Sequence, residues 1–223
     1  MTHHAALLLL ADGRLPAGGY AHSGGFEPTA RLRGLRNAAA LEDFLEGRVT
    51  TAGFVAASFA AAACAAASAG DTERLGELDP ELDARMPSPA MREVSRALGR
   101  QLLRVADSIH PHPLFALLDT QPHQPLVFGV AAASFELSPH DAALAVLHEA
   151  ITGPAAAAVK VLSLDPFAVH SALARLTGLL DDLAQDAATH ALDAPNQLPA
   201  DASPLLDIAA EHHRRWDVRL FAS

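Results

Sequence analysis

The sequence predicts an all-α protein, a single-domain bundle of roughly eight to ten helices with no sheet, and three observations carry that prediction. Half of the residues are hydrophobic while only 5% are aromatic, a balance dominated by alanine, the strongest helix former. Apolar residues recur mostly at three- and four-residue steps, and no segment shows sustained period-two alternation bounded by hairpin turns. Ser88-Pro89 and Ser138-Pro139 place a capping residue before a first-turn proline, a pattern that opens helices. The 223 residues suffice for one domain, 1–223, with a substantial core.

In chain order, a short helix fills the first eleven residues. Its apolar run Ala5–Ala11 has no basic region before it and meets Asp12 before any plausible cleavage site, so it reads as a core helix and not as a signal peptide. The segment from Asp12 to Glu27 then breaks the pattern with glycines, Pro16 and polar residues, which suits either a turn between helices or a built recognition loop. A second helix begins near Phe26. Asn37 is placed to cap a long helix from Ala38 to about Ser68, with Glu42 and Asp43 expected in its first turn at the positive end of the helix dipole. Leu41, Phe44, Leu45, Phe54, Val55 and Phe59 make its apolar face. The stretch Ala52–Gly70 is uncharged and long enough for a bilayer, but alanine gains little on transfer to lipid, so a buried central helix is expected and no membrane.

Residues 70–89 are charged and proline-rich and read as a hinge or exposed excursion holding one short helix. From Pro89 to about Ser108 a helix carries Arg92, Arg96 and Arg100 at four-residue steps, a solvated face or a docking face for an acidic partner, with Leu98, Leu102 and Val105 on another face. Two proline-broken loops flank Leu114–Leu118. Further helices run from Leu126 to about Phe135 and from Ser138 onward, the latter expected to kink or split at Pro154. Patterns over 166–192 and 204–215 complete the bundle.

The net charge of −10 argues against nucleic acid as the main ligand. The single lysine, Lys160, lies in Ala-Val-Lys-Val, which excludes a Walker-type phosphate loop. Cys64, the one cysteine, sits among alanines as a buried thiol and permits no internal disulfide. Twelve histidines invite a metal reading, yet His3/His4, His110/His112 and His212/His213 are close pairs with no cysteine partners and no helical His-x-x-x-His spacing. Exposed loop and terminal histidines are expected, without a preformed metal site. His22, Ser23 and Glu27 imitate base, nucleophile and acid, but neighbours in sequence are not a catalytic constellation and no strand-to-helix nucleophile elbow is present. They suit a rigid recognition loop better, with Glu27 capping or pairing near the second helix. At the other end, Trp216–Ser223 either docks on its own core or orders on a partner, with a buried Arg219 as anchor.

The block Asp12 to Glu27, with Leu15-Pro16, Gly18, Tyr20, His22-Ser23, Gly25 and Glu27, resembles the amino-terminal signature of the UreF family of urease accessory proteins. Three later blocks agree in order: Arg92-x-x-Ser95 with Gly99-Arg100-Gln-Leu-Leu103, His123-x-Pro125 with Gly129, and Pro204–Ile208 with Arg219-Leu-Phe-Ala-Ser223. Two departures stand out, Gly24 where the family has an aromatic and Phe26 where it has leucine. The resemblance implies an all-helical, non-enzymatic, cytoplasmic homodimer without a cofactor. It would bind UreD (also called UreH), recruit the GTPase UreG and dock on apo-urease for GTP-dependent nickel insertion. Carried over by motif, Asp12, Pro16, Gly18, Tyr20, His22, Ser23, Gly25, Glu27, Arg92, Arg100, His123 and Arg219 are structural and partner-binding positions, none catalytic. The alternative is a metallochaperone that carries nickel on its histidines.

Overall fold

The computed structural model describes residues 4–222, so His3 and Ser223 lie outside the described residues. All regular structure among them is helical: α1 (His4–Leu10), α2 (Phe26–Arg33), α3 (Ala38–Arg48), α4 (Phe54–Ala69), α5 (Thr72–Ala84), α6 (Pro89–Ile109), α7 (Gln124–Ser134), α8 (Pro139–Leu162), α9 (Pro166–Thr189) and α10 (Pro204–His213). The expected all-α class is what the chain adopts. α3 and α4 are one continuous run, Ala38–Ala69, joined by a wide π turn over Val49–Gly53. Thr50 and Thr51 there donate their hydroxyls back to the carbonyls of Glu46 and Gly47, which loosens the regular ladder.

α4 is the centre of the bundle. From Ala57 to Cys64 every side chain is fully buried, with α7, α8, α9 and α5 packed around it. Alanine fills little space, so the neighbouring backbones come close. Gly129 on α7 lies where any Cβ would stand 2.7 Å from Ala63 Cβ and 2.8 Å from Cys64 N on α4. Burial pushes the Cys64 thiol up to about 12. Two runs, Ala38–Ala69 and Pro139–Leu162, are long and apolar enough to cross a membrane, but most of each is buried within the bundle.

The caps agree with the sequence signals. Asn37 Oδ1 accepts from Ala40 N at 2.9 Å, Ser88 Oγ from Met91 N at 3.2 Å, and Ser138 forms a full capping box with Asp141. Other expectations need correction. Glu42 and Asp43 fall beyond the first turn, which holds no acid; Glu42 instead pairs with Arg175 of α9 at 2.6 Å. α1 is a surface helix of about two turns that fully buries only Leu10, packs Ala6 and Leu7 partly against the core and leaves Leu8 and Leu9 exposed. Residues 70–89 are no free excursion, since α5 buries Leu75, Leu78 and Leu82 against the bundle, with Pro80 inside it. The helix at Pro154 is not split. Proline removes the N–H that would bond the Ala150 carbonyl, and Arg48 Nε donates to that carbonyl at 3.1 Å in its place.

The close α4/α7 crossing yields a prediction. Gly129→Ala is expected to lower the unfolding free energy by about 3 kcal/mol, since backbone and not a pliable side chain stands in the way. Gly178→Ala on the exposed face of α9, with nothing near its Cβ, should instead stabilise by about 0.5–1 kcal/mol. Urea titration of the two variants checks both signs.

Candidate functional site

The segment Asp12–Glu27 forms a loop fastened at both ends. Asp12 accepts from Arg14 side chain and backbone, and that pairing, led by the side-chain hydrogen bond, holds its carboxyl at about 2. Pro16 carbonyl accepts from Gln101 Nε2 of α6 at 2.9 Å, and Gly18 rests beside Leu98 of the same helix. Gly18, Gly24 and Gly25 all have positive φ, with values of 89°, 58° and 85°. At Gly24 the demand is steric as well: a Cβ would stand 2.9 Å from Pro154 Cγ. The departure from the family pattern at Gly24 therefore sits where this chain brings loop and α8 together. The second departure, Phe26, is fully buried and meets the Phe44 ring edge-on at 5.3 Å, so it belongs to the core. Tyr20, by contrast, is 71% exposed.

Ser23 is buried, and its Oγ accepts from Glu27 N at 3.2 Å in the first turn of α2. The Glu27 carboxylate reaches across to the carboxyl-terminal segment. It accepts from Leu220 N at 2.9 Å and Phe221 N at 3.0 Å, and lies 3.2 Å from His213 Nε2. Ala222 N adds a bond to the Ala21 carbonyl at 2.8 Å. Phe221 is buried, Lys160 lies 5.6 Å from its ring, and Trp216 packs edge-on against His213 with Arg31 over its face. The tail thus docks on its own chain, the first of the two alternatives. Arg219 does not become a buried anchor. In this docked tail it is exposed; burial is expected of it only where a partner orders the tail.

Arg92, Arg100 and His123 belong to a second cluster where α5, α6 and the start of α7 meet. His123 is fully buried, with Nδ1 3.0 Å from Ser95 Oγ and Nε2 3.1 Å from Asp83 Oδ1. Arg96 bridges Asp79 and Asp83 at 2.8 Å each, Arg92 donates to the Met86 carbonyl, and Arg100 donates to Gln121 Oε1. The arginine stripe is thus an intramolecular brace more than a solvated face. Ser95, His123 and Asp83 imitate a hydrolytic triad, but Ser95 and His123 are buried and line neither the cavity under the glycine loop nor the groove beside α2. The expectation of exposed histidines fails at His123 and His213, each of which has a carboxylate partner inside the fold. Among the described residues no three His, Cys, Asp or Glu side chains converge as a metal site would require.

Between the loop, the π turn and α8 lies a cavity of about 430 Å³, lined among others by His22, Gly24, Arg48, Gln124, Glu149 and Phe221. A second, shallower groove runs between α2, α3 and the start of α10, and Arg48 borders both. Sequence reasoning missed Arg48 and Glu149. The signal for Arg48 was a proline in mid-helix, which leaves a carbonyl four residues back in need of a donor.

Two predictions come from this geometry. Glu27→Ala removes the acceptor for two tail amides, so amide exchange at Leu220 and Phe221 should accelerate and Trp216 emission shift to the red with far-UV circular dichroism unchanged. Unaltered exchange and emission would mean the tail is held by its other contacts alone. Burial pushes His22, His123, His148 and His213 below the ordinary 6.5, with Glu27 opposing the shift at His213. The folded state then binds fewer protons than the unfolded one. The stability contribution of the neutral rings is complete above 6.5 and is lost as pH falls through the lower folded-state values. Urea midpoints should decline below pH 6.5, and less steeply in His213→Gln, which keeps a donor without titrating.

A family model for UreF matches residues 35–177. Over its whole length the chain is 42% identical to the urease accessory protein UreF of Mycobacterium sp. (strain JLS), which it covers completely. It is likewise 40% identical to that of Mycobacterium marinum and 38% identical to that of Mycobacterium tuberculosis (strain H37Rv), covering 100% of each. The chain belongs to the UreF family of urease accessory proteins.

Proposed function

We propose that this protein is a non-enzymatic scaffold for urease maturation, acting as a single all-helical unit and a homodimer in the cytoplasm. It binds UreD (UreH) and recruits the GTPase UreG, so that GTP hydrolysis by UreG is coupled to nickel delivery into apo-urease. Nickel is cargo in this reading, and the nucleotide chemistry belongs to the partner. Full-length membership in the accessory family is the observation that carries it. The geometry adds support: loop and tail, the two ends of the chain, are joined through Glu27, and Tyr20, Val218 and Leu220 stand exposed beside that joint. Exposed apolar side chains on a rigid polar framework suit a protein partner.

Among the motif residues, Asp12, Pro16, Gly18, Ser23, Gly25, Glu27, Arg92, Arg100 and His123 would act by holding the framework. Tyr20, His22 and Arg219 would present it. The test is co-purification with UreD and UreG and then size-exclusion chromatography, with and without GTP. A stoichiometric complex that is lost when residues 18–27 are replaced is expected. A lone dimer under every condition, together with submicromolar stoichiometric nickel binding in equilibrium dialysis, would favour the metallochaperone instead. Arg219→Ala should weaken assembly about tenfold, roughly 1.4 kcal/mol, with the helical signal intact. Unchanged assembly would remove Arg219 from the interface.

A further inference from the structure

The cavity beneath the glycine loop contains a cation that the fold leaves only partly used. Arg48 offers five N–H donors, of which Nε is spent on the Ala150 carbonyl; Nη1 and Nη2 make no hydrogen bond among the described residues. Nη2 lies beside Gly24, whose backbone also lines the cavity. A guanidinium fork is matched in shape to a carboxylate, which accepts two parallel hydrogen bonds from it.

The obvious internal partner does not take that place. Glu149 faces the same cavity and feels the charge of Arg48, yet no direct ion pair joins the two among the described residues. Its oxygens accept from Gln124 Nε2 at 2.9 and 3.1 Å. Burial pushes Glu149 upward and Arg48 downward, so both charges stand in a poorly hydrated setting that strengthens any further pairing. Lys160 stands at the rim, and Asp12 on the wall is already neutralised by Arg14. Among the described lining residues, two cations, Arg48 and Lys160, thus stand against one carboxylate outside any ion pair, in a chain of charge −10. The rest of the lining is mostly aliphatic, with Leu10, Leu15 and Val146.

We propose that this cavity binds a small monocarboxylate with a short apolar body, its carboxylate held by the free fork of Arg48 and its hydrocarbon part by the aliphatic wall. The volume of about 430 Å³ falls in the range of small-molecule sites, and an apolar lining with few convergent polar groups is their usual composition. The inference does not rest on the partner assignments, because it concerns the isolated chain.

The test titrates the full-length protein with acetate, hexanoate and inorganic phosphate at constant ionic strength, with chloride as the reference, and reads the melting temperature. Hexanoate should raise it most and acetate less, by linkage to the folded state, with phosphate near chloride. Arg48→Gln should abolish the carboxylate response. Glu149→Gln removes the opposing charge and should tighten hexanoate binding about tenfold. Should Arg48→Gln fail to fold, the Glu149→Gln result alone decides, since unchanged affinity there contradicts the proposal. No carboxylate response, an equal response in Arg48→Gln, or a preference for phosphate would each overturn it.

Discussion

The bundle depends on how closely α4 lets its neighbours approach. A helix of alanines brings backbones into contact and not side chains, and Gly129 on α7 completes the approach by having no Cβ to collide with α4. Each alanine buries little apolar area, on the scale of about 25 cal/mol per Å². Stability must then come from many short contacts at high density, with no single large side chain to replace them. The larger residues Phe26, Phe59, Leu78, Leu102 and Leu147 fill the gaps between alanine-lined surfaces.

This alanine-rich core is fastened at its edges by arginine. Arg48 takes the carbonyl that Pro154 releases, Arg74 takes those of Ala191 and Asp193, and Arg85 takes those of Pro195, Leu198 and Pro199. Each clamp joins residues about a hundred or more apart in sequence, and hydrogen bonds to a charged donor contribute about 1.5–3 kcal/mol each where water is excluded. Only Lys160 among the 16 basic residues is a lysine, as expected where a planar fork must reach two or three carbonyls at once. Glu27 does the same with reversed polarity, its carboxylate gathering backbone N–H groups from the tail.

Helix class, most helix starts and the glycine loop were legible in the sequence because they are local. Asn37, Ser88 and Ser138 announce themselves by residue type and by the residues within the next three positions. The clamps were not legible, since an arginine and a distant carbonyl leave no spacing to read. For the same reason Arg92 and Arg96 looked like a free face, although their acceptors lie on α5 and its flanking loops. His123 and His213 looked exposed because histidines in loops and near termini usually are, and only three-dimensional packing supplied Asp83 and Glu27. The split expected at Pro154 did not occur: proline reliably removes a hydrogen bond, but a donor from elsewhere in the fold can keep the helix unbroken.

Loop, cavity and tail share their walls. Gly24 rests on Pro154; Pro154 frees the carbonyl that fixes Arg48; Arg48 and Phe221 line the same cavity; and Phe221 is held by Glu27 in the helix next after the loop. Lifting the tail would strand a buried carboxylate without its two backbone donors, a loss of the kind that costs more than the bond itself contributes. Any protein surface that displaces the tail must therefore offer Glu27 replacement N–H donors and cover Phe221 or its vacated place with apolar atoms. That requirement favours a partner segment that bends over Glu27, because consecutive backbone N–H groups converge on one carboxylate only where the chain turns, as the tail does at Leu220 and Phe221.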